Sequence, residues 1–135
     1  FGQPAQNPYL SVCTLSSHDM PTLRQWWDEN YDRTQEFYNN ELHCEGPAPH
    51  PMPADIAALI LWLQLSSPSM LCIQLLQDWF AIDERLRLPD ADAERINIPA
   101  NPEHYWRYRM HVTLESLLAN DDYNAKLRAL ISSQR

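Results

Sequence analysis

Tyr9-Leu10-Ser11-Val12-Cys13-Thr14-Leu15, followed by Ser16-Ser17-His18-Asp19-Met20-Pro21-Thr22-Leu23-Arg24, is where the fold class of this chain is decided. The first seven residues form a short apolar run of strand length. From Pro21 the period changes. Leu23, Trp26, Trp27 and Tyr31 follow helical spacing, with Asp28, Glu29 and Asn30 on another face. Proline suits a first helical position, because its φ is preset and its missing N–H has no partner to lose there. The spacing predicts a helix from about Pro21 to Asn30. His18 and Asp19 then stand where a strand hands over to a helix, the place where ligands and catalysis collect in α/β proteins.

Working outward, Phe37, Tyr38 and Leu42 predict a second helix from about Arg33 to Leu42, separate from the first or continuous with it. Pro47, Pro49, Pro51 and Pro53 make residues 46–53 a loop, since no helix continues through alternating prolines. Ala54 to Leu65 reads as a helix apolar nearly all round, hence a buried one. Ser66-Ser67-Pro68-Ser69 ends it. Met70 to Leu76 is a continuous apolar run that fits a strand buried on both faces, a buried helical segment being the alternative. Gln77 to Leu88 reads as a helical turn or short helix, and Glu94 to Pro99 as extended backbone. Asn101-Pro102 offers a cap and a first position for a helix carrying Trp106 and Met110, with a break at Thr113 before Leu114, Leu117 and Leu118. A last amphipathic helix starts at Asp121-Asp122. The expected class is α/β, one unit over residues 1–135. Two parallel strands alone make a poor sheet, so the pattern suggests part of something larger. Taken alone, it predicts a mainly helical body with at most a small sheet.

Composition narrows the function. The 135 residues are 44% hydrophobic and 21% charged, ordinary for a globular protein, with a net charge of -8. That charge argues against a nucleic-acid or anionic-membrane partner, both of which need a basic face. No run is apolar for long enough to span a membrane, and no signal peptide opens the chain. The first residue is Phe1, which reads as a processed form or a piece of a longer chain. Cys13, Cys44 and Cys72 are odd in number and widely spaced, the pattern of reduced thiols in a cytosolic protein. With 2 glycines against 11 prolines, no Gly-rich nucleotide cradle is available, and no cofactor is expected.

Several residues carry competing readings. Asp19 is a carboxylate at a strand mouth with His18 beside it, but on spacing alone it is better read as the cap of the following helix. His43, Cys44 and His50 match no zinc spacing and read as a solvated loop, so no metal is expected. Trp26-Trp27 and Tyr105-Trp106-Arg107-Tyr108 are aromatic-rich stretches, as suited to a core as to stacking on a ligand. Arg107 and Arg109 are placed to pair with the many acids.

The motifs taken together carry a resemblance. Ser16 to Arg24 with Trp26-Trp27, then Gln77-Asp78, Ala93 to Pro99, and Tyr105 to Arg109, are similar in content and order to the C-terminal blocks of the 4-alpha-glucanotransferases. These are the amylomaltases, or disproportionating enzymes, of glycoside hydrolase family 77. The large variant of plant cytosol and some bacteria is the better match. Gln25 departs from the small residue expected after Arg24, a difference for packing more than chemistry. The resemblance implies a (β/α)8 barrel, with Tyr9–Leu15 as its seventh strand and Met70–Leu76 as its eighth. It implies transfer of α-1,4-glucan segments between sugars with retention, which needs a nucleophile and an acid/base carboxylate roughly 5 Å apart. By motif, Asp19 corresponds to a third carboxylate that stabilises the transition state. His18 corresponds to a neighbouring donor to the same sugar, and Asn97 to an asparagine near the donor-sugar site. The nucleophile and acid/base belong to the fourth and fifth strands, upstream of Phe1. The chain is therefore expected to be the C-terminal portion of a cytoplasmic enzyme and inactive alone. Its partners would be an α-1,4-glucan or malto-oligosaccharide and the rest of the same polypeptide. Exposed strand edges would let isolated copies associate. Two alternatives stand beside this: a non-catalytic glucan-binding or assembly module, and a helical interaction domain without a sugar role.

Overall fold

The apolar helix predicted at 54–65 organises the molecule. The computed structural model describes residues 2–134, and its longest apolar element, α3, spans Ala54–Leu65. Pro53 leads in with extended backbone, and Asp55 lies in the positive first turn. Ile56, Ala57, Ile60, Leu61 and Leu65 are buried, as an all-round apolar helix requires, while Trp62 stays at the surface. Trp27, Met52, Phe80, Ile82 and Tyr123 close around α3 in one core.

The handover at 9–24 is present. Strand β1 (Val12–Cys13) precedes helix α1 (Leu23–Glu29) and pairs in parallel with β2 (Leu71–Cys72), which follows α3. Val12 sits opposite Leu71 and Cys13 opposite Cys72. The ladder extends through Met70 N–H to the Tyr9 carbonyl (2.7 Å) and Ile73 N–H to the Cys13 carbonyl (2.9 Å). The run at 70–76 is thus a strand, but a short one, and it is not buried on both faces: Met70, Leu71 and Ile73 are exposed. Parallel strands are buried when neighbours flank them on each side. Among the described residues β2 has one neighbour, β1. The result is a helix-rich body with one two-stranded parallel sheet.

Of two expectations about helices, one is met and one is corrected. The stretch 23–40 is two helices, α1 and α2 (Tyr31–Asn40), broken at Asn30. Asn30 has extended backbone, and its side-chain oxygen accepts the Arg33 N–H at 3.0 Å, so it caps α2. The helix expected after Asn101-Pro102 does not form. The Asn101 side chain accepts the Glu103 N–H at 3.0 Å, and the Asn101 carbonyl accepts the His104 N–H at 3.1 Å. This closes a turn, as asparagine readily does. Beyond it residues 105–112 are irregular. Thr113 begins a helix rather than breaking one: it caps α5 (Leu114–Leu118). Helix α4 (Leu76–Phe80) follows β2, and α6 (Asp121–Ser132) packs on α3 with Tyr123 in the core.

The proline-rich loop is fastened down. Gly46 turns with φ +84°, where a side chain would be strained. Gln35 of α2 grips both flanks of Pro47, donating to the Gly46 carbonyl (2.9 Å) and accepting the Ala48 N–H (2.8 Å). Trp27 donates its indole N–H to the Pro49 carbonyl at 2.8 Å, and Met52 is fully buried.

Candidate active site

The turn after β1 is built by hydroxyls. Thr14 Oγ1 donates to the Ser16 carbonyl (2.8 Å), Ser16 Oγ to the Pro21 carbonyl (2.6 Å), and Met20 N–H to the Ser17 carbonyl (3.0 Å). Thr22, not Asp19, caps α1: its side chain accepts the Gln25 N–H. The capping role read for Asp19 from spacing is therefore overturned, and Pro21 lies outside the helix it was expected to start.

Released from capping, Asp19 turns to two other residues. Asn97 donates from Nδ2 to Asp19 Oδ1 at 2.7 Å. His18 Nε2 lies 3.4 Å from Asp19 Oδ2. Asn97 also donates its backbone N–H to the His18 carbonyl at 3.1 Å. All three residues singled out in the sequence thus meet in one place, from segments far apart in the chain. The His18 and Asp19 side chains are 52% and 48% exposed. An ionised carboxylate has about four acceptor sites, so Asp19 keeps capacity for further donors such as ligand hydroxyls.

Beneath this surface cluster lies a buried polar frame that sequence reasoning missed. Asp78 of α4 accepts the Leu23 N–H on Oδ1 at 2.8 Å, tying the first turn of α1 to α4. Arg24 pairs with Glu94 at 2.7 Å, both almost fully buried, and also donates to the Leu88 carbonyl (2.7 Å). Glu94 accepts the Leu88 N–H (3.0 Å), and Gln77 donates to the Glu94 carbonyl (3.0 Å). Burial raises the Asp78 carboxyl to about 6, with the nearby Glu94 charge pushing the same way and the Leu23 hydrogen bond opposing. Burial also raises Glu94 and outweighs the attraction of Arg24. The only signal in the sequence was that Arg24, Gln77-Asp78 and Glu94 each lie inside a motif block. The frame holds α1, α4 and the 88–97 segment together, and so fixes the approach of Asn97 to Asp19. Arg95 adds to it, donating to the Asn97 carbonyl (2.8 Å) and to Gln25 Oε1 (3.0 Å), while Gln25 donates to Asp92 (2.8 Å). The unusual Gln25 is thus a strut between α1 and this segment.

The other candidates lie elsewhere. His43 and His50 are exposed, and His50 Nδ1 faces Asp28 Oδ1 at 3.0 Å. Among the described residues no group of three or more His, Cys, Asp or Glu is placed to hold a metal ion. None of the described helices is long and apolar enough to cross a membrane. Trp27 is core, whereas Tyr105 and Trp106 are exposed. Arg107 stacks on Tyr105 at 5.6 Å, and Arg109 donates to the Tyr108 carbonyl (2.8 Å). Among the described residues neither arginine has the acidic partner expected of it.

A family model described as 4-alpha-glucanotransferase matches residues 1–115. The 4-alpha-glucanotransferase DPE2 of Oryza sativa subsp. japonica is 40% identical over 133 residues, covering 98% of this chain and 14% of its own length. The 4-alpha-glucanotransferase of Chlamydia pneumoniae is 32% identical over 127 residues, covering 93% of this chain and 23% of its own. The chain therefore spans under a quarter of either relative. Among solved structures, an amylomaltase from Streptococcus agalactiae in complex with acarbose superposes with a TM-score of 0.66 at 16% identity. It covers 94% of this chain and 22% of its own, a likeness of fold. The motif blocks that converge on Asp19 all lie within the matched residues, and the chain belongs to the 4-alpha-glucanotransferase family, glycoside hydrolase family 77.

Proposed function

We propose that this chain is the C-terminal portion of a cytoplasmic 4-alpha-glucanotransferase that transfers α-1,4-glucan segments between sugars with retention. Asp19 is its transition-state-stabilising carboxylate, and His18 and Asn97 are sugar-binding residues. The observation that carries the reading is the convergence of His18 and Asn97 on the two oxygens of Asp19. Asn97 orients the carboxylate, and the frame below orients Asn97. Asp19 is half-exposed and keeps acceptor capacity beyond these two partners, to which two sugar hydroxyls can donate. As positive charge develops at the sugar ring, hydroxyls held by a fixed carboxylate become better donors, and the interaction strengthens in the transition state.

The nucleophile and acid/base are assigned to other strands of the same polypeptide, with β1 and β2 as the seventh and eighth strands of the barrel. A stabilising carboxylate does not replace a nucleophile. The test compares two preparations. The 135-residue chain is expected to release no glucose from maltotriose. The complete polypeptide is expected to do so, and Asp19→Ala within it to lose at least about 100-fold in rate. Robust disproportionation by the isolated chain, or full activity of the Asp19→Ala enzyme, would sink the proposal.

A further inference from the structure

The segment that delivers Asn97 does not end there. It folds back, and the fold-back places a large aromatic ring against His18. His104 Nε2 lies 2.9 Å from the Ile96 carbonyl. With the Asn101 turn, this contact closes residues 96–104 into a loop. The next aromatic ring but one is Trp106, whose centroid lies 5.1 Å from that of His18, the planes inclined at 48°. Among the described residues the imidazole has two side-chain partners by hydrogen bond, ion pair or ring contact: Asp19 at Nε2 and Trp106 at its ring. Neither ring is in the core, since Trp106 is 56% exposed. Burial does not explain why an indole is held there.

We infer that Trp106 is a positioning residue that fixes the His18 imidazole beside Asp19, so that the pair meets the sugar in one geometry. The inference rests on the sugar-holding role proposed above for Asp19 and His18. An exposed histidine on a turn otherwise samples several rotamers, and each is a geometry in which its ring nitrogens miss the sugar. A ring on one side and a carboxylate on the other leave one arrangement that satisfies both. Trp106 thus acts through His18, and its own effect should vanish when His18 is absent.

A double-mutant cycle in the complete polypeptide tests this, read as kcat and KM for maltotriose. Trp106→Ala is expected to lower kcat by about 10-fold with the fold intact, and Trp106→Phe to recover most of the loss. Trp106→Ala is expected to cost nothing further in a His18→Ala background. The imidazole proton resonances of His18 give a second readout. They should carry an indole ring-current shift in the parent enzyme that disappears in Trp106→Ala and persists, reduced, in Trp106→Phe. An equal loss from Trp106→Ala with and without His18, or no loss at all, would overturn the inference while leaving the role of Asp19 standing. Undiminished activity of Asp19→Ala would instead remove the reading on which the inference rests.

Discussion

At the scale of single residues, the hydrogen bond from Asn97 to Asp19 is the contact with the most specific consequence. It is short, charge-assisted and made at a half-exposed site. Its loss should therefore affect orientation more than stability. In the complete polypeptide, Asn97→Ala is expected to lower kcat by about 10- to 100-fold while the melting temperature moves by only a degree or two. Steady-state kinetics beside thermal unfolding checks this, and a large fall in melting temperature with unchanged kcat would contradict it. This residue shows what a sequence can and cannot display. His18 and Asp19 are neighbours, so their proximity was legible at once. Asn97 came only by motif, because nothing in local spacing says that an extended segment so far along the chain returns to the same turn. The preference for Asp19 as a helix cap failed for a local reason: Thr22 stands three residues later, immediately before the first helical turn, and does that work itself.

At the scale of elements, the frame under the site makes a pH prediction. Asp78 is raised from 3.8 to about 6 by burial. Between those values the folded chain holds a proton that the unfolded chain has released. Stability from this group therefore falls as pH rises through the window, by about 3 kcal/mol in all, and levels off above it. Glu94, raised for the same cause, acts with the same sign. Asp78→Asn keeps an oxygen for the Leu23 N–H but does not titrate. Urea unfolding across pH 4 to 6 should show the parent curve descending relative to this variant, and parallel curves would refute the assignment. The Arg24–Glu94 pair makes a second prediction. Arg24→Ala strands a buried carboxylate and should cost about 3–5 kcal/mol, whereas Arg24→Met with Glu94→Gln should recover most of it. Helix α3 was legible to the residue, because a run apolar nearly throughout and bounded by Pro53 and Ser66 leaves one solution. The expected helix with Trp106 and Met110 was not real, because helical spacing marks a helix only where one face has something to bury. There the side chains of Asn101 and His104 bind backbone instead. The frame itself was invisible, since charged residues in a sequence look solvated until the fold encloses them.

At the scale of the whole molecule, the two-stranded sheet is an open edge. Leu10, Val12, Leu71 and Ile73 crowd around it, all exposed, and strand edges with apolar neighbours invite further pairing. The isolated chain is expected to self-associate as its concentration rises, and Val12→Lys with Ile73→Lys to suppress this without lowering stability. Sedimentation velocity would decide, and a monomer at every concentration would count against it. In the proposed enzyme the same edge is where neighbouring barrel strands join.

The division of labour between Thr22 and Asp19 has a wider consequence. The residue that starts the helix and the residue proposed to hold the sugar stand three positions apart on one turn, each with its own hydrogen bonds. Selection can tune one without taxing the other. A substitution at position 19 therefore leaves the cap of α1 in place, and one at Thr22 leaves the Asn97–Asp19 hydrogen bond in place.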